Sequence, residues 1–157
     1  MTNWRELNEI EEKQVWDTFY NLFDFKPSIK KFPGIKTSLP TKKFSTKKYF
    51  SLDAPLDKLE TLALTLFRSV SKPGERLYAL NWHHQCYDFD PRLEMDRDEF
   101  NEWIIPIFPN GDYYIFLTKD FHNVWFGHPW EKSMLFDNTL LALDHLQKNL
   151  HLRFPML

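Results

Sequence analysis

The chain has 157 residues but one cysteine, Cys86, and only four glycines. A single thiol cannot close an intramolecular disulfide, so nothing here depends on an oxidising compartment, and the sequence suggests a cytoplasmic location. Glycine scarcity goes with the absence of any GxGxxG or GxxxxGK[ST] pattern, which sets aside the usual glycine-rich routes to nucleotide binding. No window approaches eighteen apolar residues and the first residues carry no apolar run, so neither a membrane span nor a secretory signal is expected. There is no HExxH, no paired Cys/His spacing and no GxSxG. The sequence therefore implies no metal and no cofactor.

Aromatics and proline are what it has in quantity, with 15 Phe, 6 Trp, 6 Tyr and 10 Pro. Rings on this scale suggest a core built from them. Charge is nearly balanced at −2, yet residues 25–52 hold eight lysines, no acid and no arginine, which leaves −10 on the remainder. Such a strip can mark an acidic partner or nucleic acid. Without arginine, and with no recognised nucleic-acid motif, a solvated connector is the better reading and nucleic acid is not expected as a partner.

Hydrophobic spacing predicts a first helix over residues 8–24, with Val15, Phe19 and Leu22 beside Trp16, Tyr20 and Phe23. Asn8 and Glu11 have the spacing of a capping box. Pro27, Pro33, Pro40 and Gly34 then predict an extended strip, tacked down by Phe25, Ile29, Phe32, Ile35 and Leu39. A short edge strand is expected at 46–52. Asp53 and Pro55 open a second helix whose buried face is Leu56, Leu59, Leu62, Ala63, Leu66, Phe67 and Val70, stopped at Ser71–Gly74.

Strands are expected at 76–82 and 84–89, followed by an acidic loop around Pro91–Glu102. A hairpin of Trp103–Phe108 with Tyr113–Leu117 should turn at Pro109-Asn-Gly111. Further strands are expected at 123–127 and Ser133–Phe136, and a C-terminal helix from Asp137 through Leu140, Leu141, Leu143, Leu146 and Leu150. The sum is a single α+β domain over residues 1–157. Its antiparallel sheet has about four to six strands, packed with three helices grouped on one face.

Chemistry-bearing residues fall in two clusters. His84, Asp88 and Asp90 share parity, and on a regular strand they would line one face, whereas His83 and His84 would point to opposite faces and not share a metal. Asp112, His122 and His128 form the second, where a carboxylate beside an imidazole could make a general base. Cys86 with His84 or His128 is the weakest pairing. Tyr113, Ile115 and Leu117 alternate with Tyr114 and Phe116, so this strand is apolar on both sides. Either the sheet is covered twice or one face binds something, and the second option favours a binding module.

Three blocks carry a resemblance: Ala79-Leu-Asn-Trp-His-His-Gln-Cys-Tyr-Asp-Phe-Asp-Pro91, Pro109-Asn-Gly-Asp-Tyr-Tyr-Ile-Phe-Leu117 and Phe126-Gly-His-Pro-Trp-Glu131. They resemble a bacterial family of unknown function, the one numbered 2716, over most of the chain. Asn81 and His83 stand where that family has an acid and a glutamine, which counts against acid chemistry at position 81. The family is loosely similar to small α+β immunity proteins that neutralise toxins through an aromatic and acidic surface, a likeness of fold alone. The leading expectation is therefore a non-enzymatic protein-binding module. Its contact face would draw on Trp82, His84, Tyr87, Asp88, Asp90, Trp103, Asp112, His128 and Trp130, with rings as anchors and carboxylates steering a basic partner. The alternative is a small hydrolase, metal-dependent or His/Asp-based, using His84, Asp88, Asp112 and His128 as catalytic groups.

Overall fold

A computed structural model describes residues 2–28, 30–31, 33–36, 41–44, 53, 55–107, 112–127 and 140–143. Along the chain these form β1 (Arg5–Glu6), α1 (Glu9–Leu22), β2 (Thr41–Phe44), α2 (Pro55–Ser69), β3 (Leu77–Asn81), β4 (Tyr87–Phe89), β5 (Tyr114–Thr118), β6 (Val124–Gly127) and β7 (Leu140–Leu143). The strands make one sheet of order β1-β4-β3-β5-β6-β7-β2 in which every pair is antiparallel. The class is α+β, as expected. The strand count reaches seven with the two-residue edge β1 and the outer strand β2, and five without them.

Helix α1 starts where its sequence says it should. The Asn8 side chain accepts from Glu11 N at 2.9 Å and the Asn8 backbone N–H donates to Glu11 Oε1 at 3.1 Å, so both halves of the capping box are made. Val15, Trp16 and Phe19 face inward. Helix α2 buries Leu59, Leu62, Ala63, Leu66 and Phe67. Gly74, at φ +87, takes the left-handed turn that follows α2, a conformation a side chain would strain.

The two helices lie on opposite faces of the sheet. Phe19, Phe23 and Phe25 pack with Leu80, Ile115, Leu117, Val124 and Phe126. On the other side α2 packs with Leu77, Ala79, Phe89, Phe116 and Trp125, and with Trp103, Ile105 and Ile107 from the loop before β5. Alternate residues of β3, β5 and β6 divide between these two cores, and all five residues of β5 are buried. The apolar character of both sides of β5 thus reports double coverage, not an open binding face. Grouping the helices on one face was wrong, because an antiparallel sheet normally leaves one face to water and here neither face is.

The proline-rich strip is tacked down as expected where it is described. Phe25 is buried edge-on to Tyr113, with ring centroids 4.9 Å apart, and the Tyr113 hydroxyl donates to Pro33 O at 2.6 Å. Ile35 packs against the same core. Ile29, Phe32 and Leu39, the strand expected at 46–52, the Pro109–Gly111 turn and the Ser133–Phe136 strand lie outside the described residues.

Two further expectations are corrected. Leu140–Leu143 is a strand between β6 and β2, so the C-terminal helix is absent over those four residues. A Leu-Leu-Ala-Leu run is apolar at every position, and periodicity cannot separate helix from strand in so short a stretch. Residues 137–139 and 144–157 lie outside the described residues. Trp103–Ile107 does not pair with β5 either. It makes one bridge, Arg97 to Trp103, and then runs irregularly with Trp103, Ile105 and Ile107 buried and Pro106 unable to donate to a ladder.

Candidate functional site

The register of β3 against β5 sets Asn81 opposite Tyr114, and β6 ends at Gly127 on the other side of Tyr114. At this end of the sheet the chain turns through Trp82–His84, with His84 N donating to Asn81 O and Trp82 N to Tyr113 O. Asp112, just before β5, lies under that turn. Its Oδ1 accepts from Tyr113 N at 2.7 Å, and its Oδ2 accepts from His83 N at 3.3 Å. The same Oδ2 sits 3.1 Å from His83 Nδ1 and 3.6 Å from His84 Nδ1. Asn81 Oδ1 is 3.3 Å from His84 Nδ1 and accepts from His83 N at the same distance.

The carboxylate is buried, 8% exposed, whereas the rings are 45% and 72% exposed. A carboxylate can only accept, so His83 donates from Nδ1 and keeps Nε2 as the acceptor of a half-exposed ring. The Trp82 ring lies 4.0 Å from the His83 ring and holds it in place from the side. The arrangement is an oriented imidazole on a buried acid. By itself it can accept a proton or a hydrogen bond.

The expected clusters are rearranged. Of the described candidates His84, Asp88 and Asp112, only His84 and Asp112 come together; His128 and Trp130 lie outside the described residues. Asp88 pairs across to Tyr78, three residues before Asn81 on β3, which is about 10 Å along the strand. His84 is on a turn and β4 begins only at Tyr87, so His84, Asp88 and Asp90 do not share a regular face. Asp112 meets His83 and His84, not His122, which is exposed beside Asp120 in the turn at the far end of β5. Cys86 does not pair with the His84 imidazole, and His128 lies outside the described residues. The buried Cys86 Sγ faces Asn81 O at 3.5 Å, and burial pushes the thiol up to about 11. Among the described residues no group of three His, Cys, Asp or Glu side chains is placed to hold a metal ion, and no helix is long and apolar enough to cross a membrane.

Asp88 is a structural hub. Arg5, Arg76 and Lys119 all donate to its carboxylate, at 2.7–3.3 Å, and it is only 1% exposed. Burial pushes the carboxyl up, but the three donors outweigh it and hold it at about 2. Tyr87 is half-buried edge-on to Trp4. Trp103 is fully buried. Asp90 is buried too, its backbone clasped by the Asn3 side chain and its Oδ1 accepting from Arg92 N at 2.9 Å. Asp90 and Trp103 thus support the loop between β4 and β5 and do not form a surface themselves.

That loop carries what the sequence reading passed over. Phe100 is 76% exposed and Leu93 52% exposed, among Glu94, Asp96, Asp98, Glu99 and Glu102. The tip is tightly built. Asp98 Oδ1 accepts from Phe100 N at 2.9 Å and Glu102 N at 3.1 Å, Asp98 N donates to Glu102 O, and Asn101 takes φ 62. Arg97 anchors the base by bonding Asn101 O and the buried Glu60, both at 2.8 Å. Asp98 with Asn101 was a readable turn signal. That Phe100 points outward was not, because a phenylalanine in an acidic run gives no direction.

Comparison with known proteins agrees with the resemblance seen in the motif blocks. The chain is 33% identical over 153 residues to the "Uncharacterized protein YxiI" of Bacillus subtilis (strain 168), an alignment covering 92% of this chain and 94% of that protein. No solved structure matches it. The family model described as "Protein of unknown function (DUF2716)" matches residues 6–141, and the chain belongs to that family.

Proposed function

We propose that the chain is a non-enzymatic protein-binding module that engages a basic partner through the loop between β4 and β5. The observation that carries this is Phe100, a large apolar ring held out in solvent by a turn whose own hydrogen bonds fix its shape. An exposed ring on a preorganised loop loses little freedom on binding and removes apolar area from water, the usual profile of an interface anchor. The surrounding carboxylates speed and orient the approach of a basic surface. An immunity-type antagonist of a partner protein is the finer form of this reading. It keeps the aromatic and acidic contact expected from the sequence and moves its centre to Phe100, with Asp90 and Trp103 as supports.

The test is a pull-down from source cells with the wild type and Phe100→Asp, a surface change that should leave the melting temperature in place. A protein retained by the wild type, weakened by raised salt and lost with Phe100→Asp is the expected result. Identical recovery with both forms counts against the loop.

One observation favours a hydrolase as a second reading: the buried Asp112 engages Nδ1 of the half-exposed His83 ring, which leaves Nε2 as the acceptor a general base requires. His84, and His128 outside the described residues, are its further candidates. If this holds, hydrolysis of simple esters should fall on His83→Ala while folding is unaffected. A rate equal to the buffer's in wild type and variant alike would end it.

A further inference from the structure

Beside the Phe100 loop runs an open groove of about 840 Å³, between α2 and residues 93–97. Its apolar lining includes Leu64, Leu93 and Met95, and Glu94 and Asp96 supply acid. The cations that reach it are largely engaged already. Arg97 is neutralised by Glu60, and Arg68 donates from Nε to Pro91 O at 2.8 Å. Glu94 has no hydrogen bond or ion pair among the described residues, and Asp96 receives one bond, from Trp4 N at 2.7 Å. The balance left for an occupant is negative, and Asp98, Glu99 and Glu102 continue it along the loop.

We infer that this groove seats an extended segment of the partner protein, a stretch that places an apolar side chain over Leu64, Leu93 and Met95 and a lysine or arginine against Glu94 and Asp96. The inference rests on the protein-binding reading and names the kind of segment that site takes. An open groove suits an extended chain better than a compact ligand, which a closed cavity would bury more completely.

The experiment pans random short peptides displayed on phage against the full chain, then titrates one selected peptide against wild type, Glu94→Lys and Leu64→Lys. Glu94→Lys changes an exposed side chain and should fold as the wild type does, which keeps the test usable if Leu64→Lys is unstable. The expected consensus has Lys or Arg flanking an apolar residue. Its Kd should weaken by about tenfold in Glu94→Lys, roughly the loss of one good charged contact, and should weaken again with salt. No consensus, an acidic consensus, or an affinity unmoved by the groove variants overturns the inference. The partner pull-down separates the two claims. A partner lost with Phe100→Asp but kept by Glu94→Lys and Leu64→Lys sinks the groove and leaves the loop standing, whereas a partner indifferent to all three sinks both.

Discussion

Arg76 Nε donates to Asp88 Oδ1 at 2.8 Å, and the same guanidinium reaches Asn3 O and Asp88 O through its Nη2. Arg5 comes to that carboxylate from edge strand β1, and Lys119 from the turn after β5. One buried acid therefore ties together β1, β3, β4 and the β5–β6 turn. The arrangement replaces the water that burial removed from the carboxylate with three cationic donors, the condition under which a buried charge stabilises.

The first prediction concerns acid. Asp88 titrates at about 2 in the fold against an ordinary 3.8, so its ionised form stabilises the protein at all pH values above the ordinary range. That contribution is lost as pH falls from about 4 to about 2, and it amounts to roughly 2 kcal/mol. Asp88→Asn keeps the shape but cannot ionise. Urea melts should show it less stable than wild type by about 2 kcal/mol near neutral pH, with the gap closing toward pH 2. Parallel pH profiles would show that the hub contributes nothing through charge.

Glu60 and Arg97 make the second prediction. Burial raises the Glu60 carboxyl above its usual range, and the Arg97 guanidinium only partly opposes the shift. Arg97→Met strands that acid. The cost should be about 2 kcal/mol, below the usual figure for a buried pair because Arg97 is itself partly solvated. Glu60 already binds its proton more tightly folded than unfolded, and losing Arg97 raises it further, so the deficit opens as pH rises past that raised value, above the ordinary glutamate range, and shrinks in acid. Adding Glu60→Leu should recover most of the loss. The part not recovered measures the Arg97 bond to Asn101 O at the base of the Phe100 loop. A deficit independent of pH would mean that Glu60 is not the cause.

These hubs explain what the sequence could and could not convey. Asn8 with Glu11, and the Leu59–Phe67 spacing, were legible because helix caps and helix faces are local. The double coverage of β5 was present in the alternation of Tyr113–Leu117 but ambiguous, since coverage depends on where α1 and α2 pack. Asp88 read as a site candidate because an isolated acid between aromatics looks functional. Its three partners come from positions 5, 76 and 119, a convergence only the folded sheet creates. The same holds for His83. Strand parity separated it from His84, whereas the turn at Trp82–His84 brings both rings to Asp112.

The third prediction tests that convergence. With Asp112 Oδ2 accepting, neutral His83 should carry its proton on Nδ1, and nitrogen-15 NMR of the imidazoles should show that tautomer as the dominant one. Asp112→Ala should release it toward the mixture of an unconstrained ring. It should also destabilise the fold by about 1–2 kcal/mol, since Tyr113 N loses its acceptor. A His83 signal unchanged by Asp112→Ala would mean that Asp112 serves the backbone alone, and the general-base reading would lose its support.

Cys86 supplies the last prediction and joins the others. It is fully buried, its Sγ faces Asn81 O, and burial raises the thiol from 9.0 to about 11, so at neutral pH almost no thiolate is present in the fold. Labelling by a thiol reagent must then wait for the protein to open. If opening is global, the rate follows the unfolding equilibrium, and each 1.4 kcal/mol lost should speed labelling about tenfold. Asp88→Asn and Arg97→Met lie on opposite faces of the sheet, yet each should accelerate Cys86 in proportion to its measured loss of stability. Fast labelling that ignores both substitutions but responds to Asp112→Ala would place the opening in the Trp82–Cys86 turn. The end of the sheet that carries His83 and His84 would then be its least stable part, able to rearrange around a ligand without unfolding either core.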